Sequence, residues 1–340
     1  MGLFWGMRSD QKGLSKFKMN LKKSIKEPSI ILKRKHLFIG LILSVSLVLL
    51  GISMSITPDL PEAYIEKKYT NNTSKFMWID DLKVHYRDEG QGMPIVLIHG
   101  ISSSLHTWED WTKVLTQSHR IIRMDLPAFG LTGPNANHDY SMEYYVRFLD
   151  QFLTKLAIDS LYLAGNSLGG QIAWYYTSYH LDKIKKLVLL NPAGFYDVEK
   201  IPFVFKLART PLINQLVGKI TPKYFIEKNL KEVYFDTEKI TDSLIERYHD
   251  LTLRMGNRAA FIAKAKQPMI DHTARLQLIT TPTLILWGQN DHWISVAHAT
   301  RFSKYLPHAK VEIMEETGHV PMEERPFESV AHTLQFLNTQ

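Results

Sequence analysis

The sequence predicts an α/β fold: a mainly parallel sheet with helices on both of its faces. Short apolar runs recur from residue 76 onward, several of them apolar throughout, as in strands buried on both sides. Between them lie stretches with apolar residues at three- and four-residue spacing, such as SMEYYVRFLDQFLTKL (141–156), the pattern of a helix laid on a sheet. Strand and helix alternating in this way give helices on both faces of one sheet.

The chain begins with a basic segment. Of its 340 residues, 1–36 hold ten Lys/Arg against two acids, a net charge of +8, which leaves 31 against 32 in the rest. The overall +7 thus belongs to the tail, and a nearly neutral body argues against a general nucleic-acid binder. There is no cysteine, which excludes disulfides, thiolate nucleophiles and sulfur-ligated zinc.

Leu37–Ile56 follows, 20 residues without a charge. As a helix it would be about 30 Å long, the thickness of a bilayer's hydrocarbon core. Lys33, Arg34 and Lys35 precede it, so the expectation is a single-pass membrane anchor with a cytoplasmic N-terminus and an extracytoplasmic catalytic domain. Both the apolar stretch and its basic lead are long for a cleaved signal peptide. Residues 57–75 read as a polar linker and 76–340 as the folded body.

In the body the strand-like runs are KVHY (83–86), PIVLIHG (94–100), RIIRMDL (120–126), LYLAGNS (161–167), IKKLVLL (184–190), PTLILWG (282–288) and KVEIME (310–315). Open α/β sheets keep their chemistry at the carboxyl ends of the strands. The run ending at Asn166 delivers Gly165-Asn166-Ser167-Leu168-Gly169, a G-x-S-x-G turn in which the serine stands exposed between strand and helix. Gly165 and Gly169 leave room for the chain to fold back on itself. A serine hydroxyl needs a base, and His319 lies after the last run, in ETGHVP (316–321). Asp291, after PTLILWG, is placed to orient that imidazole, whereas Asn191 has no charge to offer. His292 and Asp125 are rivals, read as a neighbour of the acid and a loop-shaping residue. After PIVLIHG, the amide of Ile101 is placed to face a developing oxyanion together with that of Leu168, while His99 reads as a structural hydrogen-bonder. Neither a Walker loop nor a dinucleotide fingerprint is present, so no metal, nucleotide or redox cofactor is implied.

With these parts in the order Ser, Asp, His, residues 76–340 resemble enzymes of the α/β-hydrolase fold. MDLPAFGLT (124–132), LLNPAGF (189–195) and TGHVPMEERP (317–326) are similar to lipases, monoacylglycerol lipases and carbon–carbon bond hydrolases of that superfamily. The resemblance implies Ser167 as nucleophile, His319 as general base and then acid, and Asp291 as the residue orienting it. It also implies a helical cap inserted at about 195–278; the apolar residues of its first part would line an acyl pocket, dock on a membrane or simply pack the cap onto the body. Trp108, Trp111 and Met142 are placed near that pocket by expectation. The activity implied is hydrolysis of apolar or lipid esters such as acylglycerols. A serine at the elbow argues against dehalogenases and epoxide hydrolases of this fold, which use aspartate there. Val320 stands where the carbon–carbon bond hydrolases carry tryptophan, yet that alternative stays open, with Arg254 or Arg258 to hold an acidic substrate. A ligand-binding module on a hydrolase scaffold is the other alternative.

Overall fold

The computed structural model describes residues 11–196 and 201–339, in two compact units, 1–56 and 57–340. In the first, α1 (Gln11–Met54) is one long helix, with Leu37, Phe38, Leu41 and Leu47 exposed along it. The expected anchor Leu37–Ile56 falls on the end of α1, but the side chains of Val48, Leu49, Ile52 and Met54 lie outside the described residues. Among the described residues no helix is long and apolar enough to cross a membrane. The expected anchor is therefore not supported by the described residues.

The second unit is built on eight strands: β1 (Ser74–Ile79), β2 (Leu82–Glu89), β3 (Pro94–Ile98), β4 (Arg120–Met124), β5 (Leu161–Asn166), β6 (Ile184–Leu190), β7 (Thr283–Gly288) and β8 (Ala309–Met314). Their order across the sheet is β1-β2-β4-β3-β5-β6-β7-β8. β2 runs antiparallel to both β1 and β4, and every other neighbouring pair is parallel.

The continuous apolar runs have a simple cause. Val96 and Ile98 of β3 pack into one core with Ile122, Leu163 and Leu187, under α4 (Met142–Lys155) and α5 (Leu168–Thr177). Ile95 and Leu97 face the other way, into a second core with Ala164, Val188 and Leu284. There α3 (Glu109–Leu115) and α11 (Pro326–Leu337) cover the sheet. Period-two geometry sends alternate side chains to opposite faces, so both sets must be apolar.

Trp108 and Trp111 belong to that second core and Met142 to the first; all three are buried and none lines a cavity at the site. Their expected place near the pocket is thus corrected. The cap lies between β6 and β7 and comprises α6 (Phe203–Arg209), α7 (Ile213–Val217), α8 (Lys223–Val233), α9 (Asp242–Leu253) and α10 (Asn257–Lys266). Residues 197–200 of the expected cap lie outside the described residues.

Residues 57–75, expected as a linker, hold α2 (Glu62–Tyr69) and the start of β1. Ile65 of α2 is buried against Leu131 and Leu251, and Tyr69 donates its hydroxyl to Asp250 at 3.0 Å. The polar composition there hides a single apolar helix face, Ile65 and Tyr69, four residues apart.

Candidate active site

Ser167 sits between β5 and α5 with φ 54° and ψ −116°, a conformation that costs a non-glycine residue about 1–3 kcal/mol. Two backbone bonds hold it there: Ser167 N–H donates to the Leu190 carbonyl at 3.1 Å, and Ala193 N–H donates to the Ser167 carbonyl at 3.0 Å. The flanking glycines are required sterically. A Cβ on Gly165 would lie 2.3 Å from the Gly169 carbonyl oxygen, and one on Gly169 would lie 2.2 Å from that of Ile98. Strand, turn and helix can pack this closely only without those side chains.

The imidazole and the carboxylate meet as the sequence order implies. His319 Nδ1 lies 2.7 Å from Asp291 Oδ2, both groups being buried. The same oxygen accepts from Asn191 Nδ2 at 2.7 Å, while Oδ1 accepts the Trp293 and Ile294 N–H groups at 2.8 and 2.9 Å. Four donors thus converge on one carboxylate, which fixes its plane and keeps the His319 proton on Nδ1. His319 Nε2 is then left as the acceptor, and among the described residues it is buried without a hydrogen-bond partner. It lines the same cavity as Ser167.

The backbone around His319 is also anchored. Its N–H donates to the Val233 carbonyl at the end of α8 (2.7 Å), and its carbonyl accepts from Asn166 Nδ2 (2.9 Å). Asn166 also donates to Leu190 O at 3.1 Å, so one side chain ties the serine turn to the base loop. Glu324, almost wholly buried, accepts the N–H groups of Gly318, Phe235 and Asp236 at 2.7, 2.9 and 2.6 Å. Sequence reasoning missed the roles of Asn166, Asn191 and Glu324. The only available signal was position, since each falls within or beside a motif already singled out.

Two cavities of about 200 and 210 Å³ meet at Ser167 and Ile101. The first, which also holds His319, is walled by Phe129, Phe205, Leu230, Val233, Phe261 and Val320. The second is lined by Leu168, Gln171, Tyr196, Arg209 and Lys264. Burial pulls the Lys264 ammonium down to about 8 against the opposing charge of Asp139. Ile101 and Ser167 line both cavities, and Leu168 lines the second.

The rivals fall elsewhere. His99 is fully buried between the Gly100 carbonyl (2.7 Å from Nδ1) and the Leu126 N–H, which donates to Nε2 at 2.9 Å. Burial lowers its pKa, with the nearby Asp125 pulling the other way. Asp125 accepts from the Leu105 and Leu131 amides at 2.7 and 2.8 Å and pairs with His85 at 2.8 Å. Burial acts to raise its pKa, but His85, by charge and hydrogen bond, brings it well below the usual carboxylate range. His292 is exposed beside Asp291. Arg258 lines the first cavity yet grips Asp59 (2.6 Å) and the Thr57 carbonyl (2.7 Å), and Arg254 pairs with Glu62 at 3.1 Å.

A serine raised on one strand end, with an imidazole–carboxylate pair delivered from two others, is the arrangement of a hydrolase on an α/β scaffold. The family model described as alpha/beta hydrolase fold matches residues 93–326, and the chain belongs to that family. It is 26% identical over 280 residues to cis-3-alkyl-4-alkyloxetan-2-one decarboxylase of Shewanella oneidensis, covering 75% of this chain and 85% of that protein. It is also 26% identical over 267 residues to 2-hydroxy-6-oxononadienedioate/2-hydroxy-6-oxononatrienedioate hydrolase 1 of Dechloromonas aromatica, covering 73% and 89%. Among solved structures, a membrane phospholipase A described as a bacterial virulence factor superposes with a TM-score of 0.68 at 26% identity, over 90% of this chain and 98% of that one.

Proposed function

We propose that the protein hydrolyses apolar carboxylic esters, with lipid esters as the substrate class, through Ser167, His319 and Asp291. Ser167 Oγ attacks the carbonyl carbon while His319 Nε2 takes its proton, and the amides of Ile101 and Leu168 receive the oxyanion. One such donor is commonly worth about 10²–10³ in rate. His319 then protonates the departing alcohol, and water activated by the same nitrogen releases the acid. Asp291 keeps the imidazole in the required tautomer. The observation that carries the ester reading is the wall of the first cavity: it is apolar around Ser167 and His319, and its one arginine is engaged by Asp59. The likeness to a membrane phospholipase A supports the same reading.

A second reading, carbon–carbon bond hydrolysis, is favoured by the curated relatives, of which one is named as a hydrolase of 2-hydroxy-6-oxo dienedioates. Against it stand Val320 in place of tryptophan and the pairing of Arg254 and Arg258 with Glu62 and Asp59, which leaves neither poised for a substrate carboxylate. The test is turnover of p-nitrophenyl esters from acetate to palmitate and of a vinylogous diketo acid, by the protein and by Ser167→Ala. Ester hydrolysis that vanishes in the variant supports the first reading. Turnover of the diketo acid alone establishes the second.

The single-pass arrangement, with the catalytic domain extracytoplasmic, remains part of this proposal on sequence grounds only: the uncharged Leu37–Ile56 run and the Lys33–Lys35 cluster. Carbonate extraction and protease protection in membrane vesicles test it.

A further inference from the structure

The cap turns apolar side chains outward. Phe203, Leu212, Ile213, Leu216, Tyr224 and Phe225, from the first three cap helices and the turn between α6 and α7, are between 40 and 76% exposed. Six large apolar groups within 23 residues are more than the scattered exposure normal for a soluble surface. Leu212, the most exposed of them, holds φ 67°, a left-handed conformation unfavourable for leucine. Strain is thus retained at a residue whose side chain gains no burial within the unit.

The charge around these residues is equally uneven. Residues 201–233 carry six Lys/Arg against Glu227 and Glu232, a net of +4, whereas the rest of residues 37–340 carries 25 Lys/Arg against 30 acids, a net of −5. Lys206, Lys219, Lys223 and Lys228 are exposed, and Lys228 Nζ lies 5.7 Å from the centre of the Phe203 ring, so cation and apolar surface adjoin. Phe203, Phe225 and Lys228 also line the cavity that holds Ser167 and His319.

From this juxtaposition we infer that the α6–α8 face of the cap docks on an anionic lipid surface, with the opening of the first cavity at the contact. An apolar face ringed by lysines is the signature of an element that lies in the headgroup region: apolar side chains enter the acyl boundary and the ammonium groups meet lipid phosphates. A second copy of the chain fits less well, since two faces of +4 would repel. This inference goes beyond the proposed activity, because it concerns how the cavity meets a surface and not which bond is cleaved.

The absence of cysteine allows a direct test on the full chain. Leu212→Cys, Leu216→Cys and Tyr224→Cys, none lining either cavity, are each labelled with an environment-sensitive fluorophore. Asp159→Cys, exposed at the opposite end of β5, serves as the control. Mixed phosphatidylcholine–phosphatidylglycerol vesicles should blue-shift the three cap probes and leave the control unmoved. Each lysine near such a surface is worth about fivefold in binding, so Lys219→Gln with Lys223→Gln should weaken the cap-probe response about 25-fold. No shift at the cap probes overturns the inference, as does an equal shift at all four positions, which signals attachment through another element. An equal response to pure phosphatidylcholine overturns the electrostatic part. A shift without vesicles that grows with protein concentration assigns the face to a second copy instead. Docking by a chain that cleaves no ester would refute the proposed activity and leave this inference standing.

Discussion

Asp291→Asn removes one charge and almost no volume, and the structure says what the replaced group can do. The carboxylate presents one oxygen to Trp293 and Ile294 N–H and the other to Asn191 and His319. An amide must turn its NH₂ toward one of these pairs. Facing Trp293 and Ile294, it leaves two N–H groups without an acceptor, at about 1–3 kcal/mol each. Facing His319 it is satisfied if the imidazole moves its proton to Nε2, and only the hydrogen bond from Asn191 is broken. The second arrangement is cheaper, and it removes the base: an Nε2–H cannot accept the serine proton. The same tautomer change in a serine protease costs about 10⁴ in turnover. The variant should therefore lose 10³–10⁴ in kcat/KM on p-nitrophenyl butyrate, about 4–5.5 kcal/mol of transition-state stabilisation. Its unfolding free energy should fall by only about 1–3 kcal/mol in a urea titration. A folded variant within tenfold of the parent would refute the assignment of His319 as a base held in one tautomer by Asp291.

Gly169→Ala places a Cβ against backbone carbonyls at 2.2 and 2.5 Å, and should cost about 1–3 kcal/mol in denaturant titrations while reducing turnover. Glu324→Ala strips the acceptor from three backbone N–H groups and should destabilise by several kcal/mol, at about 1–3 each, in the same titration. Arg258→Gln should leave ester turnover within about threefold, because its partner is Asp59; selective loss of diketo acid turnover would instead mark it as a substrate ligand. His99 is held neutral by burial, its folded pKa lying below that of the unfolded chain. Its contribution to stability is thus complete above about pH 6.5 and lost as pH falls, because the unfolded chain binds the proton first. Stability should decline below pH 6.5 by up to about 1.4 kcal/mol per pH unit from this group, and His99→Gln should flatten the slope.

The chemistry-bearing strand ends were legible because buried parallel strands are apolar on both faces, and polar residues after them stand out. Ser167, Asp291 and His319 were singled out by chain order, and the structure brings the last two within hydrogen-bond distance. What was not legible has two physical causes. Marginal elements carry weak patterns: α2 buries one isoleucine and was absorbed into a polar linker, and β1, a half-exposed edge strand, was not among the strand-like runs. Pairing across the fold is invisible in one dimension. Arg258 looked free to hold a substrate acid because Asp59 lies 199 residues away along the chain. Trp108 and Trp111 looked like pocket aromatics, yet serve as packing between α3 and the sheet, where their large area is best buried.

The bond from Asn166 to the His319 carbonyl spans 153 residues. Ser167 and His319, the proposed nucleophile and base, therefore share a frame only after β8 and the loop beyond it have joined the sheet. During synthesis, a chain that has completed β5 already carries its serine turn but has no base to activate it. The Ser167, Asp291 and His319 constellation is thus incomplete in a nascent chain until nearly the whole sheet is assembled.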